Sequence, residues 1–151
     1  LHLDDKILSS WNSLMISAMC ELYLISENEL YLKTAKKADE FIQNNIFESE
    51  TLYVSYRKDS RGVKGFLDEY ASNIFALLKL YKATNEQEFL SRAKKLCDKV
   101  ITDFKDTSGG FNFYSKESEQ LILNPKETYD GAIPSGNSLM AYNLVNLFKI
   151  W

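Results

Sequence analysis

A repeat with a spacing of 58 residues constrains the fold of this chain more than any other feature of its sequence. Three matches define the repeat, and subtracting the paired numbers gives 58 in each: Leu22-Tyr23 with Leu80-Tyr81, Tyr31-Leu32 with Phe89-Leu90, and Ala35-Lys36-Lys37 with Ala93-Lys94-Lys95. Units of this size bury too little apolar surface alone, so they stack on their neighbours. The sequence therefore predicts one domain built from similar stacked units.

Each unit begins with an apolar helix and continues with an amphipathic one. The apolar helices are predicted at about 9–26 and 68–83, and the amphipathic helices at about 29–45 and 86–104. Because the first helix is apolar nearly all round, we expect it to be buried. The amphipathic helices carry lysines on one side, which predicts that they lie on the surface.

An irregular segment, which we call the return, follows the two helices of each unit and leads to the next unit. Strand propensity is found at 52–56 and 111–114, next to polar turns at 57–62 and 106–110. A third copy of the repeat begins at Asp130 and stops within its first helix. The predicted units are therefore 5–65, 68–128 and a truncated 130–151.

This alternation predicts an all-α fold with an inner and an outer layer of helices. Either an α/α toroid or a solenoid has two such layers, and the long aromatic returns favour the toroid. About two and a half helical hairpins are too few to close a toroid. We therefore expect an incomplete toroid whose open edges expose apolar surface and promote self-association.

Composition limits the classes of function. A net charge of −3 gives no basic face for nucleic acid, and no apolar run reaches the roughly 20 residues that span a membrane. Cys20 and Cys97 lie in apolar helical stretches, which predicts buried free thiols and a cytoplasmic location. His2 is the only histidine, so we expect no metal site and no cofactor. Leu1 and Trp151 as end residues indicate a piece of a longer protein.

A loop with a specific backbone conformation is predicted at 130–138, directly before the last predicted helix. It contains two glycines and one proline, and its position at a helix N-terminus favours polar or anionic ligands. A simpler alternative is a capping loop without a ligand, in which Ser135, Asn137 or Ser138 is the cap.

Acidic residues recur where each inner helix begins, at Asp5, Asp68 and Asp130. If the inner helices are parallel, these carboxylates converge on one rim of the structure. Acids at helix starts are also ordinary caps, so both readings stay open. The other candidate site residues at this rim are Trp11, Asn12, Tyr56, Tyr70, Ser135 and Asn137.

Four stretches together resemble consecutive motifs of the YyaL-like family, which is related to spermatogenesis-associated protein 20. They are Asp4-Asp5-Lys6-Ile7-Leu8-Ser9-Ser10-Trp11-Asn12, Phe66-Leu67-Asp68-Glu69-Tyr70-Ala71, Gly109-Gly110-Phe111, and Asp130-Gly131-Ala132-Ile133-Pro134-Ser135-Gly136-Asn137-Ser138. Members of this family carry a thioredoxin-like domain followed by a toroid of the six-hairpin glycosidase type. Ser13 departs from the family pattern, which has glycine there, and we expect its bulk to narrow the rim.

The resemblance implies two alternative functions. In a carbohydrate-active enzyme, Asp68 with Asp130 or Asp5 would form the carboxyl pair that glycoside hydrolysis requires. The aromatic residues Trp11, Tyr56 and Tyr70 would then stack on a sugar, and Asn12, Ser135 and Asn137 would lie in the same binding site. The resemblance implies that an epimerase of this type would transfer a proton through histidine residues. No histidine lies in the four motifs, so that reaction would need residues outside them. Alternatively, the chain is a non-catalytic scaffold or binding module that works with the thioredoxin-like domain.

Overall fold

The computed structural model describes residues 3–118 and 123–150. Helices dominate this part of the chain, and the first helix has the predicted bounds. The second predicted helix ends earlier as an α-helix and continues as a π-helix over Ile42–Ile46. The α-helices are α1 (Ser9–Ser26), α2 (Glu29–Phe41), α3 (Leu67–Thr84), α4 (Gln87–Asp103) and α5 (Gly136–Ile150).

Short antiparallel strands lie just before α1 and in the return between α2 and α3. The strand before α1 is β1 (Ile7–Leu8), and the return contains β2 (Phe47–Glu48), β3 (Thr51–Leu52), β4 (Ser55–Arg57) and β5 (Ser60–Arg61). One sheet has the order β1-β4-β5, and β2 pairs with β3. Lys58 and Asp59 both have positive φ, as a tight hairpin turn between β4 and β5 requires. The strand predicted at 52–56 is therefore split between two sheets.

Helices α1, α3 and α5 form an inner layer and run in the same direction. The Asn73 amide of α3 donates to the Ser13 hydroxyl near the start of α1, 3.3 Å away. Nearer the other end, Lys79 of α3 donates to Glu21 of α1 at 2.7 Å. Asp68 and Gly136, which stand at the starts of α3 and α5, are also hydrogen-bonded. Equivalent ends of the three helices therefore lie together.

The repeat extends to the way in which the inner helices end. Glu27 and Asn85, which are 58 residues apart, both adopt the left-handed conformation that terminates a helix. Their N–H groups donate to the carbonyls of Tyr23 and Tyr81, another pair with the same spacing. The outer helices α2 and α4 then pack on α1 and α3, around a core that includes Ile16, Ile74, Leu77, Val100 and Phe104.

Helix α1 is not buried on all sides, and this part of the prediction was wrong. The side chains of Trp11, Met15 and Ile25 are 62%, 56% and 81% exposed. Because α1 is an edge of the inner layer, α3 and α2 cover only two of its sides. Helix α3 has neighbours on both flanks and is buried along most of its length, as predicted.

Cys20 and Cys97 are buried free thiols, as predicted. Burial raises the pKa of each to about 11, which keeps both thiols protonated and unreactive. None of the helices within residues 3–118 and 123–150 combines the length and apolar character that a membrane span needs.

Candidate functional site

The N-terminal ends of α1, α3 and α5 meet at one end of the inner layer, which we call the rim. Two adjacent acids of α3 connect them. Asp68 accepts a hydrogen bond from the N–H of Gly136 at 2.8 Å, which links α3 to α5. The side chain of Ser10 stabilises the charged carboxylate of Glu69, which brings α3 close to α1. Asp68 and Glu69 therefore hold the starts of the three inner helices together.

Asp68 is half-buried, and burial raises the pKa of its carboxyl group. The hydrogen bond from Gly136 opposes this shift, whereas the negative charge of Glu127 adds to it. Within the described part of the chain, only one of the two carboxylate oxygens of Asp68 accepts a hydrogen bond. Asp68 therefore combines a capping role with an oxygen that is available to a ligand.

Glu69 was not among the candidate site residues, although it is the most buried acid of the rim. Its side chain also accepts from the N–H of Phe66 at 2.9 Å, and burial raises the pKa of its carboxyl group. A glutamate at the third position of a helix is the sequence signature of this bond. That signature indicates a cap and carries no information about catalysis.

Asp130 organises the loop that precedes α5. Its carboxylate accepts from the N–H of Ser135 at 2.9 Å and from the hydroxyl of Ser138 at 3.0 Å. These bonds, led by the one from Ser135, lower the pKa of Asp130. The buried Ser135 hydroxyl accepts in turn from the N–H of Ser138, so Ser135 is the N-cap of α5. The polar groups of Asp130 and Ser135 are thus used in hydrogen bonds that hold the loop and the start of α5.

Asn137 fastens the second return to the start of α5. Its side chain exchanges two hydrogen bonds of 2.9 Å with the backbone of Phe111, and its amide also donates to the carbonyl of Glu127. The backbone turns at Gly109 and Gly110, both with positive φ, to reach this position. A substrate would therefore compete with three backbone bonds for this amide.

Asp5 lies two residues before β1, and Tyr56 lies on β4, the strand that pairs with β1. Asp5 forms an ion pair with Arg57. The Tyr56 hydroxyl donates to Asp59 at 2.8 Å, and its ring packs edge-on against Phe41.

Trp11 and Asn12 lie at a pocket on the rim. Trp11 is 62% exposed, and Leu8, the last residue of β1, lines the pocket beside it. The pocket has a volume of about 260 Å³ and is completed by Asp4 and Lys6. The Asn12 amide donates to the carbonyl of Leu8 at 2.8 Å, which holds the pocket wall in place.

Tyr70 and Ser13 lie inside the protein rather than on the rim surface. Tyr70 is only 3% exposed, and its hydroxyl accepts from the N–H of Leu52 at 3.1 Å. Ser13 is fully buried between α1 and α3, so its bulk fills a helix interface and does not narrow the rim. Neither side chain is presented to a ligand. Among residues 3–118 and 123–150, no three side chains of histidine, cysteine, aspartate or glutamate are grouped to hold a metal ion.

Solved structures with the same arrangement define the class of fold. A cellobiose 2-epimerase from Bacillus thermoamylovorans matches 100% of this chain and 41% of its own, with a TM-score of 0.78 and 21% identity. A glycoside hydrolase family 76 mannosidase from Bacteroides thetaiotaomicron matches 97% of this chain and 40% of its own, with a TM-score of 0.76 and 17% identity. The chain has the α/α-toroid fold of the six-hairpin glycosidase type, and the predicted fold class is confirmed.

Curated sequence relatives are similar to nearly the whole of this chain. Spermatogenesis-associated protein 20 of Rattus norvegicus is 32% identical over 97% of this chain, and the Homo sapiens protein is 31% identical over the same share. An uncharacterised protein of Caenorhabditis elegans is 33% identical over 99% of the chain. The chain is a homologue of a segment of spermatogenesis-associated protein 20, as its four motifs predicted. It spans about a fifth of the length of these relatives, and no family model matches it.

Proposed function

We propose that this segment forms part of a carbohydrate-binding rim and that Trp11 is the surface on which a sugar ring stacks. The exposure of Trp11 beside a polar pocket carries the proposal, since a large flat ring suits the apolar face of a sugar. The structures of an epimerase acting on cellobiose and of a mannosidase support a sugar as the ligand class.

Asp68 is the acid that takes part in chemistry in this proposal. Its raised pKa and its available oxygen suit a group that delivers a proton to the leaving-group oxygen of a glycoside. Hydrolysis requires a second carboxyl group, and Glu127 is favoured because its charge acts directly on Asp68. Asp130 is less suited, since both of its oxygens accept hydrogen bonds within the loop.

Sugar binding is tested with cello- and manno-oligosaccharides on the longer protein that contains this segment. We expect Trp11→Ala to weaken binding about tenfold, because the stacking surface is lost. Phe148→Ala is the matched control, since Phe148 is 84% exposed near the far end of α5. Equal effects of the two variants on affinity would contradict the proposed role of Trp11.

Chemistry at Asp68 is tested separately from binding. Asp68→Asn keeps the size of the side chain and an oxygen that accepts from Gly136, but it cannot deliver a proton. We expect turnover to be lost while affinity for the oligosaccharide is retained. Asp130→Asn serves as the control and should retain turnover; a loss of turnover there and not at Asp68 would reverse the assignment.

A second candidate is a non-catalytic module that works with a thioredoxin-like domain. The observation that favours it is that Asp5, Asp68 and Asp130 each contribute a bond that stabilises the fold. This function predicts no saturable binding of any oligosaccharide at millimolar concentration, and only a loss of stability in Asp68→Asn. A titration of the segment with the separate thioredoxin-like domain, followed by calorimetry, would then show an association.

A further inference from the structure

A second cavity lies in the outer layer of the domain and shares no lining residue with the rim. It has a volume of about 140 Å³ and lies between α4 and the segment that joins α2 to β3. Phe47 and Leu96 supply apolar surface and are 9% and 8% exposed. Gln43 and Ser49 add polar groups beside them. The cavity therefore offers both apolar and hydrogen-bonding surface.

Three cations of α4 line this cavity, namely Arg92, Lys95 and Lys99. Their spacing of three and then four residues places them on one face of the helix. Glu50 is the only acid among the lining residues that the structure describes. The acids that pair with Arg92 and Lys99 are not part of the lining. The charges that line the cavity are thus predominantly positive.

The three cations differ in how firmly they are held. Arg92 makes two hydrogen bonds of 2.8 Å to the buried Asp39, which fixes it in the wall. Lys95 pairs with Glu50 at 2.7 Å, but their side chains are 69% and 61% exposed. Exposed ion pairs of this kind contribute little stability. An incoming anion therefore needs only to displace Glu50 to reach Lys95.

We propose that this cavity binds a small organic anion, namely a six-membered ring that carries one phosphate or carboxylate group. A cavity of about 150 Å³ accommodates benzene, so the ring fits against Phe47 and Leu96. The anionic group then takes the place of Glu50 on Lys95. This site is independent of the rim and of the function proposed for it.

Phenyl phosphate is the probe, and its binding is followed by calorimetry and by the backbone amide signals of residues 95–99. We expect saturable binding that Lys95→Gln weakens about tenfold, since a hydrogen bond to a charged group is lost. Glu50→Gln should tighten binding, because the competing carboxylate is removed. Lys94→Gln removes the same charge from the neighbouring position outside the cavity and should leave the affinity unchanged.

Inorganic phosphate and benzoate complete the test. Benzoate that binds more tightly than phenyl phosphate would identify a carboxylate ligand, and phenyl phosphate that binds more tightly than benzoate would identify a phosphate ligand. Inorganic phosphate that binds as tightly as phenyl phosphate would overturn the proposal, since the apolar surface would then be unused. Equal losses in Lys95→Gln and Lys94→Gln, or no binding at millimolar probe, would also overturn it.

Discussion

Asp68 caps a helix that begins 68 residues further along the chain. Its carboxylate bonds to the first N–H of α5, which has no partner within that helix. Such a bond requires the two helix starts to approach closely. The residue that permits the approach is Gly136, because a Cβ atom there would lie 2.5 Å from Asp68 Oδ1 and 2.8 Å from Leu67 Cγ.

The close approach predicts the effect of Gly136→Ala. Alanine is the better helix former by about 1 kcal/mol, so without the contact this change would stabilise α5. We expect it to lower the free energy of unfolding by about 1–3 kcal/mol, because the added methyl group overlaps α3. Urea unfolding measures this change. Gly131→Ala is the control, since its Cβ would meet only the exposed Tyr129 ring, at 3.2 Å.

The two rim aspartates are predicted to respond to pH in opposite directions. The pKa of Asp68 is raised by burial, so its contribution to stability is lost as the pH rises through its folded pKa. The pKa of Asp130 is lowered by hydrogen bonds, so its contribution is present above the usual value of 3.8 and is lost as the pH falls. Carboxyl carbon NMR between pH 2 and 7 should place the two midpoints on opposite sides of about 3.8.

At the scale of the elements, Lys79 connects all three inner helices away from the rim. From α3, its amino group donates to Glu21 of α1 at 2.7 Å and to the Tyr142 hydroxyl of α5 at 3.4 Å. It also lies 5.1 Å from the centre of the Phe75 ring. Burial alone would lower the pKa of Lys79, but the bonds to Glu21 and Tyr142 raise it. The charged form is therefore the one that holds the layer together.

Replacing this lysine tests the connection. We expect Lys79→Met to lower the free energy of unfolding by about 1 kcal/mol, since methionine keeps the apolar contacts but leaves Glu21 with one lysine. Lys82→Met is the matched control, because Lys82 bonds the same glutamate from a more exposed position. A change below about 0.5 kcal/mol is expected there. An equal loss in both variants, measured by urea unfolding, would refute the connecting role.

At the scale of the whole molecule, the inner layer has two open edges. The α1 edge exposes a stripe with spacings of four and three residues, as in the seam of a coiled coil. The α5 edge, on the other side of the layer, exposes Tyr142 and Val145. We propose that the α5 edge of a second copy covers the stripe of α1, because this continues the parallel order of inner helices. The stripe consists of Trp11, Met15, Ala18, Leu22 and Ile25.

Self-association of the 151-residue chain is the corresponding prediction. We expect concentration-dependent association in sedimentation equilibrium that continues beyond the dimer, because each added copy leaves one α1 edge and one α5 edge open. The double variant Met15→Glu/Ile25→Glu should be a monomer, because charges would have to be buried. Val63→Glu adds a charge at a position that is 62% exposed outside both edges and should leave the association intact. A wild-type chain that stays monomeric at high micromolar concentration would contradict the proposal.

Short-range patterns in the sequence predicted the positions of the helices better than they predicted which helix faces are buried. The helices and their ends follow from apolar periodicity and from residues such as Asn28, which caps α2 through its own side chain. The exposure of α1 could not be derived, because an apolar pattern indicates that a face needs a partner but not whether the partner is present. The burial of Tyr70 depended on a contact with Leu52, in another element.

The sequence by itself determined the repeat, the two kinds of helix and the set of acids at the inner helix starts, since these depend on short-range spacing. Only the tertiary structure decided what each acid does. Asp130 bonds within its own loop, whereas Asp68 bonds to the distant helix α5 and Glu69 is stabilised by Ser10 of α1. The physical reason is that burial and long-range hydrogen bonds set the pKa and the free oxygens of a carboxylate, and both arise only when the helices pack.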